Sequence, residues 1–145
     1  MAATAGKIGY GTLFKRGDGA SPEGFTTLAE VRKIGSFGSK RGLVDMTNFD
    51  SLDTFMEYIL AMKDGVQMTI ECNFIPTNAT QSVAAGMILD HNNGTVRNFT
   101  LTLPGAFGTF SFSGLVVEWN VPTLDPQSAI TVTFSVKLTG VISYT

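Results

Sequence analysis

Hydrophobic and polar positions alternate with a period of two over most of the last two-thirds of the chain, which is the signature of half-buried strands. From residue 130 to 138, Ile130, Val132, Phe134, Val136 and Leu138 take one side while Thr131, Thr133, Ser135 and Lys137 take the other. Residues 67–74 repeat the pattern, with Met68, Ile70, Cys72 and Phe74 inward and Gln67, Thr69, Glu71 and Asn73 outward. A third strand carries Phe99, Leu101 and Leu103 against Asn98, Thr100 and Thr102, and stops at Pro104-Gly105. Phe110 and Phe112 begin a fourth, in which the inward phase is expected to slip at Gly114 to Leu115, Val117 and Trp119, as a β-bulge would require. Asp64-Gly65, Asn93-Gly94 and the segment 122–126 supply turn chemistry between them.

One helix is predicted over residues 79–89, capped by Thr77 or Asn78, with Val83, Met87 and Ile88 on one side and His91-Asn92-Asn93-Gly94 ending it. Residues 54–62 fit a helix through Phe55, Ile59 and Met62, but the Lys63-Asp64-Gly65 turn favours a strand hairpinned onto 67–74. Thr12–Lys15 and Leu28–Ile34 read as earlier strands joined by the Gly17-Asp18-Gly19 loop. Between them and the strand-rich part lies Gly35–Asp53, about twenty residues with little periodicity. That is too long for an idle connection within a compact domain and predicts a functional loop.

Composition sharpens this into a mainly β fold, an antiparallel sandwich or barrel with one flanking helix, in a single domain over 1–145. Charged residues make up only 15% of the 145, with 16 Gly and 11 Phe; disorder would show the reverse balance. Net charge is −2, so no basic surface exists to neutralise many phosphates, and a sequence-reading DNA binder is not expected. The charge is uneven: residues 1–50 hold seven Lys/Arg and five Asp/Glu, the remainder three and seven. The longest apolar stretch, 83–89, is far too short to span a bilayer. Met1–Lys7 lacks the apolar core of a secretory signal, so synthesis in the cytoplasm is expected.

Catalytic chemistry is sparse. The chain has one His and one Cys. His91 beside Asp90 is half of an acid/base pair, but no serine sits in a nucleophile-elbow context. Cys72 falls on an inward position and reads as a small buried hydrophobe. Asp50 and Asp53 lack further acidic partners at Ca²⁺-loop spacing, and Gly6, Gly9 and Gly11 precede a strand instead of following one, so they form no phosphate loop. No catalytic residue, metal or cofactor is expected. Trp119, in phase with Leu115 and Val117, reads as core packing; the alternative is a contact surface with Tyr58 or Tyr10 on a monomeric ligand-binding sandwich. A polar Thr/Ser/Asn/Gln face plus a long loop suits assembly better than catalysis.

Three runs carry a resemblance to a known family: Val44-Asp45-Met46-Thr47-Asn48-Phe49-Asp50-Ser51-Leu52-Asp53, then Leu60-Ala61-Met62-Lys63-Asp64-Gly65, then Asn73-Phe74-Ile75-Pro76-Thr77-Asn78-Ala79-Thr80-Gln81. Together with Phe110–Gly114, Val121–Asp125 and Val132–Gly140, they make almost the whole chain resemble the lambda-type major tail tube proteins of long-tailed bacteriophages. The resemblance implies the phage tail-tube fold, a virion protein whose hexameric rings stack into a hollow tail tube for DNA ejection. The extra immunoglobulin-like domain of some relatives has no counterpart before Thr145.

What the resemblance implies for particular residues follows the alternation. Gln67, Thr69, Glu71, Asn73, Thr131, Thr133 and Ser135, with Glu57 and Glu118, are candidates for a lumen wall that offers a passing polyanion weak contacts and mild repulsion. Glu71 stands first among them, with an outer-surface solubilising role as its alternative. Lys40, Arg41, Asp45, Asp50 and Asp53 are inter-subunit candidates in a bridging loop at 35–53. Implied partners are further copies of the chain, the tape measure, tail tip and tail terminator proteins, and DNA in transit, with no membrane. The implied location is the virion tail, after assembly in the host cytoplasm. The nearest rival is the related tube protein of contractile secretion systems. If four strands from each of six subunits closed at about 4.8 Å spacing and about 40° tilt, the channel would be about 38 Å wide inside its side chains, against roughly 20 Å for a DNA duplex.

Overall fold

The computed structural model describes residues 3–145. Among these residues nine strands form in chain order: β1 Leu13–Gly17, β2 Phe25–Thr27, β3 Val31–Ile34, β4 Ser39–Asp45, β5 Tyr58–Gly65, β6 Gln67–Asn73, β7 Val96–Thr102, β8 Thr109–Asn120 and β9 Thr131–Tyr144. One α-helix, α1, spans Met87–Asn93, and a 3₁₀ turn spans Leu52–Thr54. Seven strands make one antiparallel sheet in the order β2-β1-β7-β8-β9-β6-β3, and β4 and β5 pair only with each other.

The sheet is rolled up, and chain connectivity requires it. β2 and β3 lie at opposite borders, yet only Leu28, Ala29 and Glu30 join them. Four Cα steps reach about 14 Å at most, so the borders must curl towards each other. Leu28 bridges them, its N–H bonding to the Phe14 carbonyl at 2.8 Å while its side chain is buried in the core. The expected single strand Leu28–Ile34 is thus two strands separated by this crossing, and Glu30 turns the chain with φ of 48°.

Inside the roll, the alternation of β6 and β9 is satisfied as the sequence predicts except at Ile130, which precedes β9 and is 54% exposed. Met68, Ile70, Cys72, Val132, Phe134, Val136 and Leu138 are buried, with Phe14, Phe99, Leu101, Phe112 and Val116 from β1, β7 and β8. Phe14 stacks on Phe99 at 5.3 Å, and Phe37 meets Phe110 edge-on at 5.1 Å. The phase slip in β8 comes later than expected. Phe112, Gly114 and Val116 stay on the core side, and the extra residue is Val117, between the pairs Val116–Val136 and Glu118–Ser135. Gly114 is there to fit: a Cβ would stand 2.6 Å from Val136 Cγ1. Leu115 accordingly faces outward, opposite Lys137, whereas Trp119, expected in the core, opposes Phe134 but is 38% exposed.

The helix is shorter and later than the predicted 79–89. Asn78 Oδ1 accepts bonds from the Thr80 N–H and hydroxyl, and the buried Gln81 amide accepts from Ile75 N–H and donates to the Ala29 and Asn73 carbonyls. These side chains take backbone groups at Ile75, Thr80, Ala29 and Asn73, and 75–82 forms short turns, such as the Ser82 N–H on the Asn78 carbonyl at 3.0 Å, in place of a continuous helix. The helix begins only after Gly86, and α1 is fastened by Asp90. Its fully buried carboxylate takes two bonds from Arg16 (2.5 and 2.8 Å) and one from Arg97 (2.9 Å). Removing one partner of such a buried cluster typically costs about 3–5 kcal/mol.

Candidate functional site

Two surfaces concentrate the sequence-predicted residues. The first is the outward face of a four-strand block, β8-β9-β6-β3. Opposed residues of antiparallel strands share a face, so the register places Glu118, Ser135 and Thr69 in one row and Asn120, Thr133, Glu71 and Lys33 in the next. Gln67 opposite Lys137 and Asn73 opposite Thr131 extend it at either end. Eight of the nine predicted wall residues therefore lie together. Thr131 and Ser135 are nearly covered by their neighbours, with 8% and 7% exposure, leaving the other six to meet anything in contact with the face.

Glu57 is the exception. It lies just before β5, with the whole of that strand between it and Gln67, accepting a bond from the Ser51 hydroxyl at 2.9 Å while its N–H donates to Thr47 Oγ1. Glu71 is not an isolated acid either: a bulge at Arg32 places both Arg32, 3.8 Å away, and Lys33 beside it.

The block has two free borders. Among the described residues β3 carries no strand on its outer side, and β7 reaches β8 only as far as Leu115, so Glu118–Asn120 have no strand on that flank. His91 Nδ1 lies 3.1 Å from the Val116 carbonyl oxygen and marks where the covered part of β8 ends. The border of β3 bears Arg32 and Lys33, that of β8 bears Glu118. The sequence signal for this was the Arg32-Lys33 pair, which the prediction passed over.

The second surface is the β4–β5 arm. Residues 35–53 are not the irregular loop that was expected: 39–45 are a strand, paired from Ser39–Gly65 out to Asp45–Tyr58. Nor does β5 hairpin onto β6, since one residue, Val66, separates them and the partner is β4. Lys137 Nζ redirects the chain at this root, donating to Asp64 Oδ1 at 3.0 Å and to the Gly65 carbonyl. That ammonium holds the Asp64 carboxyl below its ordinary value. Lys40, opposite Asp64, and Arg41, opposite Lys63, sit near the root; Asp45 sits at the outer end of β4 and Asp50 and Asp53 on the tip.

Every β4 residue is exposed. So are Met46, Phe49, Leu52, Phe55, Met56, Tyr58, Ile59, Leu60 and Met62. These apolar residues were the missed part of the site. A compact monomer of this size exposes about 7,200 Å²; this chain exposes 9587 Å². The difference, about 2,400 Å², is the size of a large protein–protein interface.

Elsewhere the candidates disperse. Tyr10, Tyr58 and Trp119 stand on three different elements, the N-terminal segment, β5 and β8. Asp90 is occupied by its two arginines, and His91 by the Val116 carbonyl. Cys72 is fully buried, and burial, with a smaller push from Glu71, raises its thiol to about 12. No helix among the described residues is long and apolar enough to cross a membrane.

No protein-family model and no curated protein matches the sequence. Solved structures do match in shape. A chain from the tail of an empty gene transfer agent particle, refined with C6 symmetry, superposes with a TM-score of 0.75 at 17% identity, covering 97% of this chain and 99% of that one. The fold is that of tail tubes. A chain from the sheath–tube complex of an extracellular contractile injection system gives 0.70 at 9% identity, covering 97% and 93%. The SPP1 tail tube gives 0.64 at 12%, covering 92% and 76%.

Proposed function

We propose that this chain is the repeating subunit of a phage-type tail tube: copies close edge to edge into hexameric rings, the rings stack, and DNA leaves through the channel. The observation that carries the reading is the four-strand block with two unpaired, oppositely charged borders. β3 runs antiparallel to β6, β6 to β9 and β9 to β8, so β8 of a neighbouring copy meets β3 in the antiparallel sense. Glu118 of one copy then lies near Arg32 and Lys33 of the next, and pairing removes both exposed edges.

Six such blocks would contribute twenty-four strands, the number behind the channel width of about 38 Å. Gln67, Thr69, Glu71, Asn73, Thr133 and Glu118 would line it. Their mostly neutral side chains, with Glu71 set against Arg32 and Lys33, leave few free cations to hold phosphates by counterion release. The arm, with Lys40, Arg41, Asp45, Asp50 and Asp53, is the inter-ring bridge, and Glu57 belongs to it. The tape measure, tail tip and tail terminator are the expected partners and the virion tail the location. The contractile-system tube is the second reading, favoured by the 0.70 likeness to such an assembly. Electron microscopy of concentrated protein tests the reading, which expects hollow filaments; dispersed particles at every concentration would refute it.

A further inference from the structure

The apolar residues of the arm are not confined to one side. Leu43 opposes Leu60 and Asp45 opposes Tyr58, while Val44 opposes Ile59. Opposed residues share a side and successive residues alternate. One side thus presents Leu43, Leu60 and Tyr58, the other Val44 and Ile59, and all five are 43–64% exposed. A hairpin lying against its own barrel, or on one flat partner, needs a single apolar side and keeps the other polar. Two wet apolar sides on an isolated two-stranded ladder are unfavourable on solvation and marginal in stability.

We propose that each arm is clamped in a seam between two other copies of this chain, one copy on each side of the ladder. The inference rests on the tube reading and deepens it, by setting how many neighbours an arm engages. Further copies fit as occupants on charge. Residues 42–62, the arm beyond its root, hold Asp45, Asp50, Asp53 and Glu57 and no Lys or Arg; the root holds Lys40, Arg41 and Lys63 against Asp64, and the rest of the chain holds seven basic against seven acidic residues. An outer arm at −4 is attracted to the basic root, at +2, of another copy, while two outer arms repel each other. The charge division therefore favours contact of an outer arm with the root region of another copy and opposes tip-to-tip pairing of outer arms between free subunits.

The experiment places a photo-crosslinking benzoylphenylalanine at Leu60 or at Ile59, neighbours in sequence on opposite sides of the ladder, in filaments mixed from isotopically light and heavy full-length chains. Clamping expects each position to label another copy, and the two positions to label non-overlapping regions of its surface. Filaments in which both positions label one region, or in which one position labels nothing, overturn the clamp while leaving the tube reading intact. Protein that never assembles, even without substitution, overturns both. Should either bulky group block assembly, Leu60→Ser and Ile59→Ser replace it: a rise of at least tenfold in critical concentration for both supports the clamp, and a rise for only one refutes it.

Discussion

Removing apolar surface from the arm tip separates assembly from folding. Phe49 and Leu52 are 110% and 78% exposed, so the double change Phe49→Ala and Leu52→Ala takes nothing from the core, and the isolated chain should keep its stability within about 0.5 kcal/mol. If a neighbour buries both side chains in the filament, full burial of each contributes roughly 1.5–3 kcal/mol. Losing them, with Ala retaining part, then costs about 3 kcal/mol per subunit added. At 1.4 kcal/mol per tenfold, the critical concentration should rise about 100-fold. Sedimentation across a dilution series reads that concentration directly, and thermal unfolding of the dispersed chain is the control. An unchanged critical concentration in a variant of normal stability would refute the claim that the tip is buried by assembly.

Three other predictions follow from different parts of the molecule. Glu118→Lys should block ring closure and be rescued by Arg32→Glu with Lys33→Glu in the same chain, which restores opposite charges at the seam; microscopy that finds rings in the single variant contradicts the border pairing. Gly114→Ala should destabilise the monomer by about 1–3 kcal/mol in urea unfolding, because the new methyl overlaps Val136; neutral behaviour would mean the sheet yields there freely. Asp64 titrates below its ordinary 3.8 because of Lys137, so its link to the arm root is fully present above that value and is lost as pH falls through the lowered one. Hydrogen exchange of the arm, corrected for intrinsic rates, should stay flat down to about pH 4 and then rise, and Lys137→Gln should remove the step.

The strands with a one-sided environment were the legible ones. In β6 and β9 each residue faces either core or surface, and the period-two pattern reads off both faces, though the row joining Thr69, Ser135 and Glu118 needs the strand register. β4 and β5 were not legible as a pair because their alternation carries no polarity contrast: Leu43 and Val44, or Ile59 and Leu60, are apolar on both sides. Without a buried face, strand and irregular loop look alike. The slip in β8 was misplaced for the opposite reason. Gly114 looked like a bulge residue by conformation, but it is small because Val136 crowds it, and the bulge falls at Val117. The helix was set too early because Asn78 and Gln81 satisfy backbone groups through contacts with Ile75, Asn73 and Ala29, and the Ala29 bond is long-range. The free borders of β8 and β3 depend on which strands end first, a property of the assembled sheet alone.

The central claim is that unpaired strand borders and a bare apolar arm are completed by further copies around an open channel. A cryo-EM reconstruction of filaments grown from the purified chain measures this most directly. The account predicts six-fold symmetry, a channel of about 38 Å, and Glu71 and Thr133 on its inner surface. A solid filament, or a tube whose bore is lined by another face of the barrel with β3 and β8 unpaired, would contradict it.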